Sequence, residues 1–536
     1  MRKEQAFALI AIVLMAIVGT LATVYYNDRH KADIRNTYTD LAPAPKTEDP
    51  LSGIDYENDY VVGSDFSTNL PIVILDMPDG EPPISTQKTP GGDFARIEGV
   101  EPYVDRQFIL IDNTDGLNHP EDAPVISSMM KIKRRGNSSM LYDKAQWTVK
   151  FINESGQYRD IDVLGMGREH EWILNGSLAD KSLIRNYLAY AISSEIMPNT
   201  PDTQFCEVIL KTDGQYRYHG VYLLGETIRQ GLNRVNISEF NKDRLVNSYI
   251  VRRDRFDDEG VMLETYARLN GFTHTYWGII FPSRKELTDD MIRYTEASLN
   301  EVERILYSDD DRTFYGYGDV IDTGSFVDYF LLNEFFTSYD AGNYSTYAYK
   351  DLTGKVRMGP VWDFDGTMDN YIVEPAQPSD LGFEIKPWFD RLCEDKEFVK
   401  KLSQRYAKLR TGPFSDRHIT EKINEAVDHL GGAADRDWKR WDVWYTQVHS
   451  SPHIGLPDFE NEDGILLHRN AETYDEELYR IRTSLHDHAE AIPQALSDLE
   501  HTATRDSGLE RWKEWLLAIM LMAILFPAVY VVAKKS

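Results

Sequence analysis

The sequence predicts an α+β protein with an antiparallel-sheet N-terminal region and a mixed or helical C-terminal region, flanked by two transmembrane helices. Strand-like segments rich in β-branched and aromatic residues dominate residues 70–152. Apolar residues at helical spacing dominate the chain after Phe389. Two runs without a charged residue, 6–24 and 515–533, lie near the two ends and have the length of a membrane span.

Composition limits the class of protein. The chain has 536 residues, of which 42% are hydrophobic and 12% aromatic, so one large domain or two moderate ones can form and a disordered protein is excluded. With 58 basic and 87 acidic residues the net charge is -29, which argues against nucleic acid as a partner. Two cysteines, Cys206 and Cys393, exclude a disulfide framework. One bridge or two buried thiols remain, and buried thiols are preferred.

The two ends predict membrane attachment. Residues 1–27, in which Arg2 and Lys3 precede the apolar run, are predicted to be an N-terminal transmembrane signal anchor, and residues 511–536 a C-terminal transmembrane helix. A cleaved signal peptide is the alternative, but no convincing small-residue cleavage site follows the first run. Because both tips are expected in the cytoplasm, we predict a cell-membrane protein with two spans and an extracytoplasmic main domain.

The elements between the ends follow from local pattern. Residues 28–67 are polar and predict a linker, residues 68–400 a main domain, and residues 401–510 a helical C-terminal extension. A helix is predicted over residues 177–197, with Ser177 or Asp180 as its cap. Strands are predicted at 70–77, 106–112, 125–135, 146–152, 205–211 and 220–226, and later helices at 394–409 and 421–430.

One predicted hairpin collects acids that are distant in sequence. Residues 344–350 and 355–361 predict two short strands joined by a DLTG turn. If Lys350 pairs with Lys355, Asp340 and the pair Asp363 and Asp365 emerge at the same open end. Such carboxylates repel each other unless a cation or a transferred proton uses them. Phosphoryl transfer on Mg²⁺ requires one acid to orient the attacking hydroxyl and another on the metal.

Four sequence blocks carry a family resemblance. They are RGNSSMLYDKAQWTVKF from residue 135, LADKSLIRNYLAY from 178, HGVYLLGETIRQGLNRVNI from 219, and YDAGNYSTYAYKD with GKVRMGPVWDFDGTMDN from 339. With these blocks in this order, the chain resembles the spore coat protein CotH kinase family across residues 68–400. The resemblance implies an atypical protein-kinase-like fold that transfers phosphate from ATP to Ser or Thr hydroxyls of proteins, with Mg²⁺ or Mn²⁺.

The resemblance also implies roles for the acids. Asp340 would be the catalytic-loop acid, and Asp363 with Asp365 would hold the metal. Many members have an asparagine as the second metal ligand five residues after the catalytic acid, where this chain has Ser345. Either Ser345 or Asn343 would then serve as that ligand, or metal binding is weaker.

In the same scheme Lys144 or Lys150 contacts the ATP phosphates, and Glu226 pairs with that lysine. Lys150 lies on the strand face opposite its apolar neighbours, where its ammonium meets either a phosphate or solvent. Glu226 is either a buried carboxylate that needs a cation or a strand-end glutamate in water. Arg135 shares a strand face with Lys131 and Lys133, and this face either lines an anionic site or is exposed.

Two other interpretations of DFDGTMDN fit the sequence less well. It matches the nucleophile motif of haloacid-dehalogenase-like phosphatases, which need several parallel strands that the chain after Asn370 does not offer. A calcium loop has Met368 where its sixth position requires glycine. The loop ligands would be Asp363, Asp365, Thr367, Asp369 and Glu374.

The sequence therefore predicts a membrane-anchored, kinase-like phosphotransferase that acts on a protein acceptor. The alternative is a non-catalytic, pseudokinase-like structural subunit of a cell-envelope or surface-polysaccharide membrane assembly, because ATP is scarce outside the cytoplasm. The aromatic residues Trp438, Trp441, Trp444 and Tyr445 predict a helix packed through its rings in preference to a partner or glycan surface.

Overall fold

The computed structural model describes most of the chain between residues 38 and 508. The described residues are 38, 40–47, 49–89, 94–113, 116–244, 246–257, 260–371, 381–447, 449–450, 453–454, 459–460, 466–467 and 469–508. The runs 6–24 and 515–533, on which the membrane prediction rests, lie outside these residues.

The predicted flanking transmembrane helices require correction. Within the described ranges, no helix has both the length and the apolar character needed to cross a membrane. The two helices there with enough residues, Asp289–Leu306 and Tyr474–Thr502, carry acidic and basic side chains along their length, and such charges are costly in a bilayer. For the residues that the structure describes, the predicted fold class is therefore wrong in its two flanking spans, and so is the two-span, cell-membrane localisation.

Strands account for much of the first half of the described chain. In chain order they are β1 Ile54–Asp55, β2 Val61–Val62, β3 Ile72–Asp76, β4 Thr86–Lys88, β5 Phe94–Arg96, β6 Val104–Ile111, β7 Ile126–Arg134, β8 Trp147–Ile152, β9 Ile161–Asp162, β10 Arg168–Glu169, β11 Glu171–Asn175, β12 Thr203–Thr212, β13 Gln215–Glu226, β14 Tyr249–Asp254, β15 Met262–Leu263, β16 Tyr276–Phe281, β17 Thr346–Lys350, β18 Arg357–Met358, β19 His449–Ser450, β20 His453–Ile454, β21 Phe459–Glu460 and β22 Leu466–Leu467.

Helices dominate the second half. They are α1 Arg185–Ser194, α2 Tyr266–Leu269, α3 Asp289–Leu306, α4 Asp311–Phe314, α5 Tyr317–Val320, α6 Thr323–Phe335, α7 Phe389–Leu392, α8 Lys396–Arg410, α9 Asp416–Leu430, α10 Gly432–Arg440, α11 Asp442–Tyr445 and α12 Tyr474–Thr502. A short 3-10 helix covers Ser138–Leu141.

The largest sheet has nine strands in the order β1-β2-β13-β11-β8-β7-β6-β3-β12, and β13 also pairs with β12. Seven of the strands therefore form a closed ring of pairings. Strands β3 and β12 run parallel, with Glu207 opposite Ile72, so the region is not the purely antiparallel sheet predicted from the sequence. Local patterns do not reveal this pairing, because the two strands are far apart in the chain.

The interior of the ring is filled by alternate side chains of its strands. Trp147, Val149 and Phe151 of β8 point inward and are fully buried. Because side chains alternate along a strand, Lys150 is placed on the outer face.

The described residues between 38 and 67, which belong to the segment predicted as a linker, contact the large sheet. Strands β1 and β2 extend the large sheet through a pairing of Val61 with Arg217. Phe66 is fully buried, and the Tyr38 hydroxyl donates a hydrogen bond of 2.8 Å to the carbonyl of Pro201. The isolated apolar residues of this polar segment find partners only in the folded protein.

A second sheet and the helices build the other half of the molecule. The sheet has five strands in the order β15-β16-β14-β17-β18, and it shares one hydrophobic core with residues of α1, α3, α6, α8, α9 and α12. Helices on both sides of residue 400 therefore pack together. Cys206 and Cys393 are free and buried, as predicted. Trp441 and Tyr445 are buried, so the aromatic residues of α10 and α11 pack inward.

Helix α1 begins at Arg185, not at Ser177. The Asp180 carboxylate accepts the backbone N–H groups of Ser182 and Arg185, each at 3.0 Å, and Leu183 has φ +65°. These contacts hold residues 177–184 as a loop, because a side chain that binds nearby N–H groups competes with the helix.

Candidate functional site

The hairpin β17–β18 forms with a register one residue from the predicted one. Ala348 lies opposite Met358 and Tyr349 opposite Arg357, which places Val356 rather than Lys355 opposite Lys350. The turn closes through a hydrogen bond of 2.7 Å from the Gly354 N–H to the Asp351 carbonyl, and Lys355 adds one residue to the loop. The open end of the hairpin still carries the acids.

Asp340 lies in a tight turn between α6 and β17. Its carbonyl accepts the N–H groups of Asn343 at 3.1 Å and Tyr344 at 2.8 Å. Gly342, at φ +89°, occupies the left-handed region that favours glycine. The half-buried Asp340 carboxylate accepts a hydrogen bond of 3.1 Å from the Tyr371 hydroxyl.

The loop with Asp363 and Asp365 follows β18 and is held by α1 and α6. The N–H of Phe364, which is fully buried, donates to Asn186 Oδ1 of α1 at 2.8 Å. The N–H of Met368 donates to the carbonyl of Phe336, just after α6, at 3.0 Å. Phe364 therefore anchors the loop in the core and leaves the flanking acids at the surface of the site.

Arg185 joins this loop to the rest of the core. Its fully buried guanidinium donates to the carbonyls of Thr367 at 2.9 Å and Met368 at 3.2 Å. It also forms ion pairs with Asp180 at 2.7 Å and Glu477 at 2.5 Å. The predicted helix over residues 177–197 includes Arg185, but the sequence does not show that this side chain supports the acidic loop.

Each of the two loop acids is positioned through one carboxylate oxygen. Ser345 Oγ donates to Asp363 Oδ2 at 2.9 Å, and Ser177 Oγ donates to Asp365 Oδ2 at 2.7 Å. The Oδ1 atoms accept no hydrogen bond from the described residues. The site therefore presents oxygen ligands of the kind that Mg²⁺ prefers.

The electrostatics of the site show a shortage of positive charge. Burial, with the charges of Asp365 and Asp340, raises the pKa of Asp363 to about 7. Burial also raises the pKa of Asp365 and that of Asp340. The cation that opposes the shift at both loop acids is Arg135. A bound cation would relieve this repulsion.

The structure therefore brings together Asp340, Asp363, Asp365 and Ser345, with Asn343 in the same turn as Asp340. The Ser345 side chain contacts a loop acid, whereas for Asn343 the contact to Asp340 is made by the backbone.

Lys144 does not lie free beside these acids. Its side chain is fully buried and forms an ion pair of 2.6 Å with Asp437 of α10, with the Tyr445 hydroxyl at 3.4 Å. Burial lowers the pKa of Lys144, and Asp437 opposes that shift. The sequence could not reveal this pairing because the partner lies 293 residues away.

Lys150 and Glu226 do not form the predicted pair. Lys150 binds Glu171 at 3.0 Å on the outer face of the large sheet. Glu226, which is 2% exposed, forms its ion pair with Arg234 and accepts the Asp202 N–H at 3.0 Å. The buried Glu226 carboxylate is therefore paired with a cation, as one interpretation of the sequence required, but the cation is Arg234 and not a lysine.

Arg135 emerges as the cation of the site. Its guanidinium carbon lies 5.6 Å from the centre of the Trp362 ring, and Nη1 donates to Gln146 Oε1 at 3.1 Å. Lys131, on the same predicted strand face, is instead paired with Asp105 at 2.9 Å. The sequence left open whether this face lines an anionic site or is exposed to solvent. Arg135 fits the first interpretation and Lys131 fits the second.

Sequence reasoning missed other members of the site. Ser177 was considered only as a helix cap, and Tyr371 and Lys386 were not considered. No motif identified these residues, because a lone serine, tyrosine or lysine in a loop carries no periodic signal.

Another acidic group in the described ranges has tighter geometry. Ligand atoms of Asp160, Glu169 and His170 all lie within 4.8 Å of one another. Arg229 lies 3.0 Å from His170 Nε2 and 3.3 Å from Glu169, so positive charge is already present there. Asp363 and Asp365 differ from this group, because the negative charge of neighbouring carboxylates raises their pKa.

The described residues also bear on the calcium-loop interpretation. Asp369 forms ion pairs with Arg469 at 3.1 Å and Arg480 at 3.7 Å, so its carboxylate is not available as a loop ligand. Glu374, the predicted last ligand, lies outside the described residues.

A family model described as CotH kinase protein matches residues 132–491. The match covers well over half of the chain and includes every residue of the site. A comparison with curated proteins found no match.

Proposed function

The chain belongs to the CotH kinase family, and from this premise we propose that it transfers the γ-phosphoryl group of ATP to Ser or Thr hydroxyls of a protein acceptor, with Mg²⁺ or Mn²⁺. The observation that carries the proposal is the pair Asp363 and Asp365, whose Oδ1 atoms accept no hydrogen bond from the described chain and whose pKa values are raised beside Asp340. Such groups are expected where a cation binds.

The metal would be held by Asp363 and Asp365. Carboxylate oxygens suit Mg²⁺, which commonly takes one or two carboxylates and completes its shell with substrate phosphates and water. Ser345 is the stronger candidate for a third protein oxygen, because its side chain already contacts Asp363. When bound, the ion supplies positive charge that offsets the charge of the phosphates.

Asp340 would orient the acceptor hydroxyl and take its proton. Burial raises the pKa of this carboxyl, which makes its ionised form a stronger base. The Tyr371 hydroxyl, 3.1 Å from Oδ1, fixes the carboxylate and leaves the second oxygen for the substrate. Most of the rate would come from positioning and charge neutralisation.

Arg135 is the residue we propose for the phosphate-binding role. Lys144 and Lys150 are engaged by Asp437 and Glu171, whereas Arg135 faces the loop acids. A guanidinium presents two parallel N–H donors, which match the oxygens of a phosphate. The net charge of -29 supports a protein acceptor over nucleic acid.

A non-catalytic protein that retains the fold is the second candidate. The observation that favours it is the complete burial of Lys144 against Asp437, together with Ser345 where many members have asparagine.

The test is ATP binding and phosphoryl transfer by the purified full-length chain. Binding of Mg·ATP and Mn·ATP is measured by calorimetry, and transfer from labelled ATP is measured to the chain itself and to dephosphorylated casein. Asp340→Asn should abolish transfer and leave nucleotide binding, whereas Asp363→Asn should abolish both. A folded wild-type protein that binds no nucleotide would refute the proposal, and binding without transfer would favour the non-catalytic candidate.

A further inference from the structure

Lys386 is a buried lysine beside the catalytic acid. The residue is 9% exposed, and its ammonium donates to the backbone carbonyl of Tyr339, the residue before Asp340. Burial lowers the pKa of Lys386, and the charges of Asp340 and Glu334 oppose that shift. The lysine therefore reaches the turn of Asp340 from a separate segment of the chain.

The segment that carries Lys386 is fixed to the turn of Asp340. The buried guanidinium of Arg253 donates to the carbonyls of Gly342 at 3.3 Å and Pro387 at 3.2 Å, so one side chain holds both segments. The guanidinium carbon lies 4.4 Å from the Trp277 ring centre and 4.9 Å from that of Trp388. A donor held between two aromatic faces has little freedom to move.

Gly342 leaves the space that the Lys386 stem occupies. A Cβ atom at Gly342 would lie 2.6 Å from Lys386 Cβ and 2.7 Å from its Cγ. No side chain fits at that distance, so the turn of Asp340 and the stem of Lys386 are in direct contact.

The ammonium has donor capacity that the described chain does not use. Of its three N–H groups one donates to the Tyr339 carbonyl, and the ammonium makes no second hydrogen bond to the described residues. Glu334, the other nearby acid, already accepts the N–H groups of Gly382 at 3.2 Å and Phe383 at 2.8 Å. Asp340 and Glu334 supply negative charge near the ammonium, and the unused N–H groups leave Lys386 able to bind a further anion.

We propose that Lys386 is a catalytic residue whose ammonium binds an oxygen of the phosphoryl group while it moves to the hydroxyl held by Asp340; this inference rests on the proposed function. The acceptor oxygen forms a bond to the γ-phosphorus, and the bond from that phosphorus to the β–γ bridging oxygen breaks. The electron pair leaves with ADP, and the hydroxyl proton goes to Asp340. The charge of Arg135 acts on both loop acids, and the charges of Arg255 and Lys386 act on Asp340, so cations lie near both groups of carboxylates.

The test compares Lys386→Met with Lys350→Met in the full-length chain. Lys350 serves as the control, since it is half-buried, donates to a single hydroxyl, Ser298 Oγ at 3.2 Å, and lies at the turn end of the hairpin. Three quantities are measured for each variant: the turnover number, the affinities for Mg·ATP and Mg·ADP, and the thermal unfolding midpoint.

For Lys386→Met we expect turnover to fall by about 100-fold to 1000-fold, the usual cost of removing one preorganised donor to developing charge. Affinity for Mg·ATP should fall while affinity for Mg·ADP, which lacks the γ-phosphate, stays unchanged. Lys350→Met should change none of these. A purely structural lysine would lower the unfolding midpoint and leave both affinities and turnover unchanged, which would overturn the inference.

Failure of the inference is distinguishable from failure of the proposed function. If the wild type transfers phosphate and Asp340→Asn does not, normal turnover by Lys386→Met refutes the role of Lys386 alone. If the wild type binds no nucleotide, both the proposed function and the role of Lys386 are refuted. Should Lys386→Met not fold, Lys386→Gln keeps an N–H donor for the Tyr339 carbonyl and removes the charge, and unchanged turnover together with an unchanged ATP to ADP affinity ratio would refute contact with the γ-phosphate.

Discussion

Replacing Asp363 by asparagine should stabilise the metal-free protein near neutral pH. Burial and the charges of Asp365 and Asp340 raise the pKa of this carboxyl from 3.8 to about 7. At about 1.36 kcal/mol per tenfold change in proton affinity, this corresponds to about 4 kcal/mol of unfavourable free energy in the ionised folded state. Because the half-buried side chain reaches solvent and titrates together with Asp365, we expect about 1–3 kcal/mol.

The sign of the pH dependence follows from proton binding. Between pH 3.8 and about 7 the folded protein holds the Asp363 proton while the unfolded chain has lost it. The Asp363 contribution to stability therefore falls as pH rises through this window and is constant above it. The asparagine side chain of the variant is neutral at every pH, and its amide oxygen still accepts from Ser345. The advantage of Asp363→Asn should thus be absent near pH 3.8 and largest above pH 7.

Thermal unfolding of both proteins from pH 5 to 8, with EDTA or with Mg²⁺, measures this effect. In EDTA at pH 7.5 the variant should unfold about 1–5 °C higher, allowing for the smaller shift per kcal/mol in a large domain. Saturating Mg²⁺ should stabilise the wild type, by about 2.7 kcal/mol at a hundredfold excess over Kd, and leave the variant unchanged. A less stable variant in EDTA at pH 7.5, or an equal Mg²⁺ response in both proteins, would refute the assignment of Asp363 as a repelled metal ligand.

Other variants test the supports of the site. Arg185→Met leaves the buried Asp180 without its cation and Glu477 with Arg480 alone, at 3.2 Å, and should cost about 3–5 kcal/mol, seen as a lower unfolding midpoint; an unchanged midpoint would contradict the buried network. Lys144→Met likewise leaves Asp437 unpaired and should reduce stability while Mg·ATP affinity in calorimetry stays within about twofold; a tenfold loss of affinity would return the phosphate role to Lys144. Ser345→Asn should tighten Mn²⁺ binding in calorimetry, because Ser345 has φ +48°, which asparagine tolerates well, and the amide adds an oxygen ligand; weaker binding would exclude that position from the metal site.

The hairpin shows how far sequence reasoning reached and where it stopped. Turn chemistry and alternation placed the strands and predicted that Asp340 and the loop acids lie at one end. The observed register differs from the predicted one by one residue, because the loop includes Lys355 as well as the DLTG turn. Asp340 and the loop acids still meet, since the buried side chain of Phe364 and its hydrogen bond to Asn186 hold the loop irrespective of register.

The partners of Lys144 and Lys150 could not be predicted for a different reason. Strand alternation correctly placed Lys150 opposite the apolar face, but the choice between phosphate and protein carboxylate depends on which partners fold nearby. In the folded protein Lys150 pairs with Glu171 and Lys144 with Asp437. Glu226 pairs with Arg234. Flanking spans were predicted from apolar length alone, and within the described ranges no helix combines length with an apolar surface.

The sequence by itself determined the family, the main strands of the sheet and the acids of the site, because these depend on local periodicity, turn residues and the order of motifs. Only the tertiary structure decided the partners of each charge, the parallel pairing that closes the large sheet, and the positions of Arg135 and Lys386. These depend on contacts between segments far apart in the chain. Their energies arise from burial and desolvation, which exist only once the core has formed.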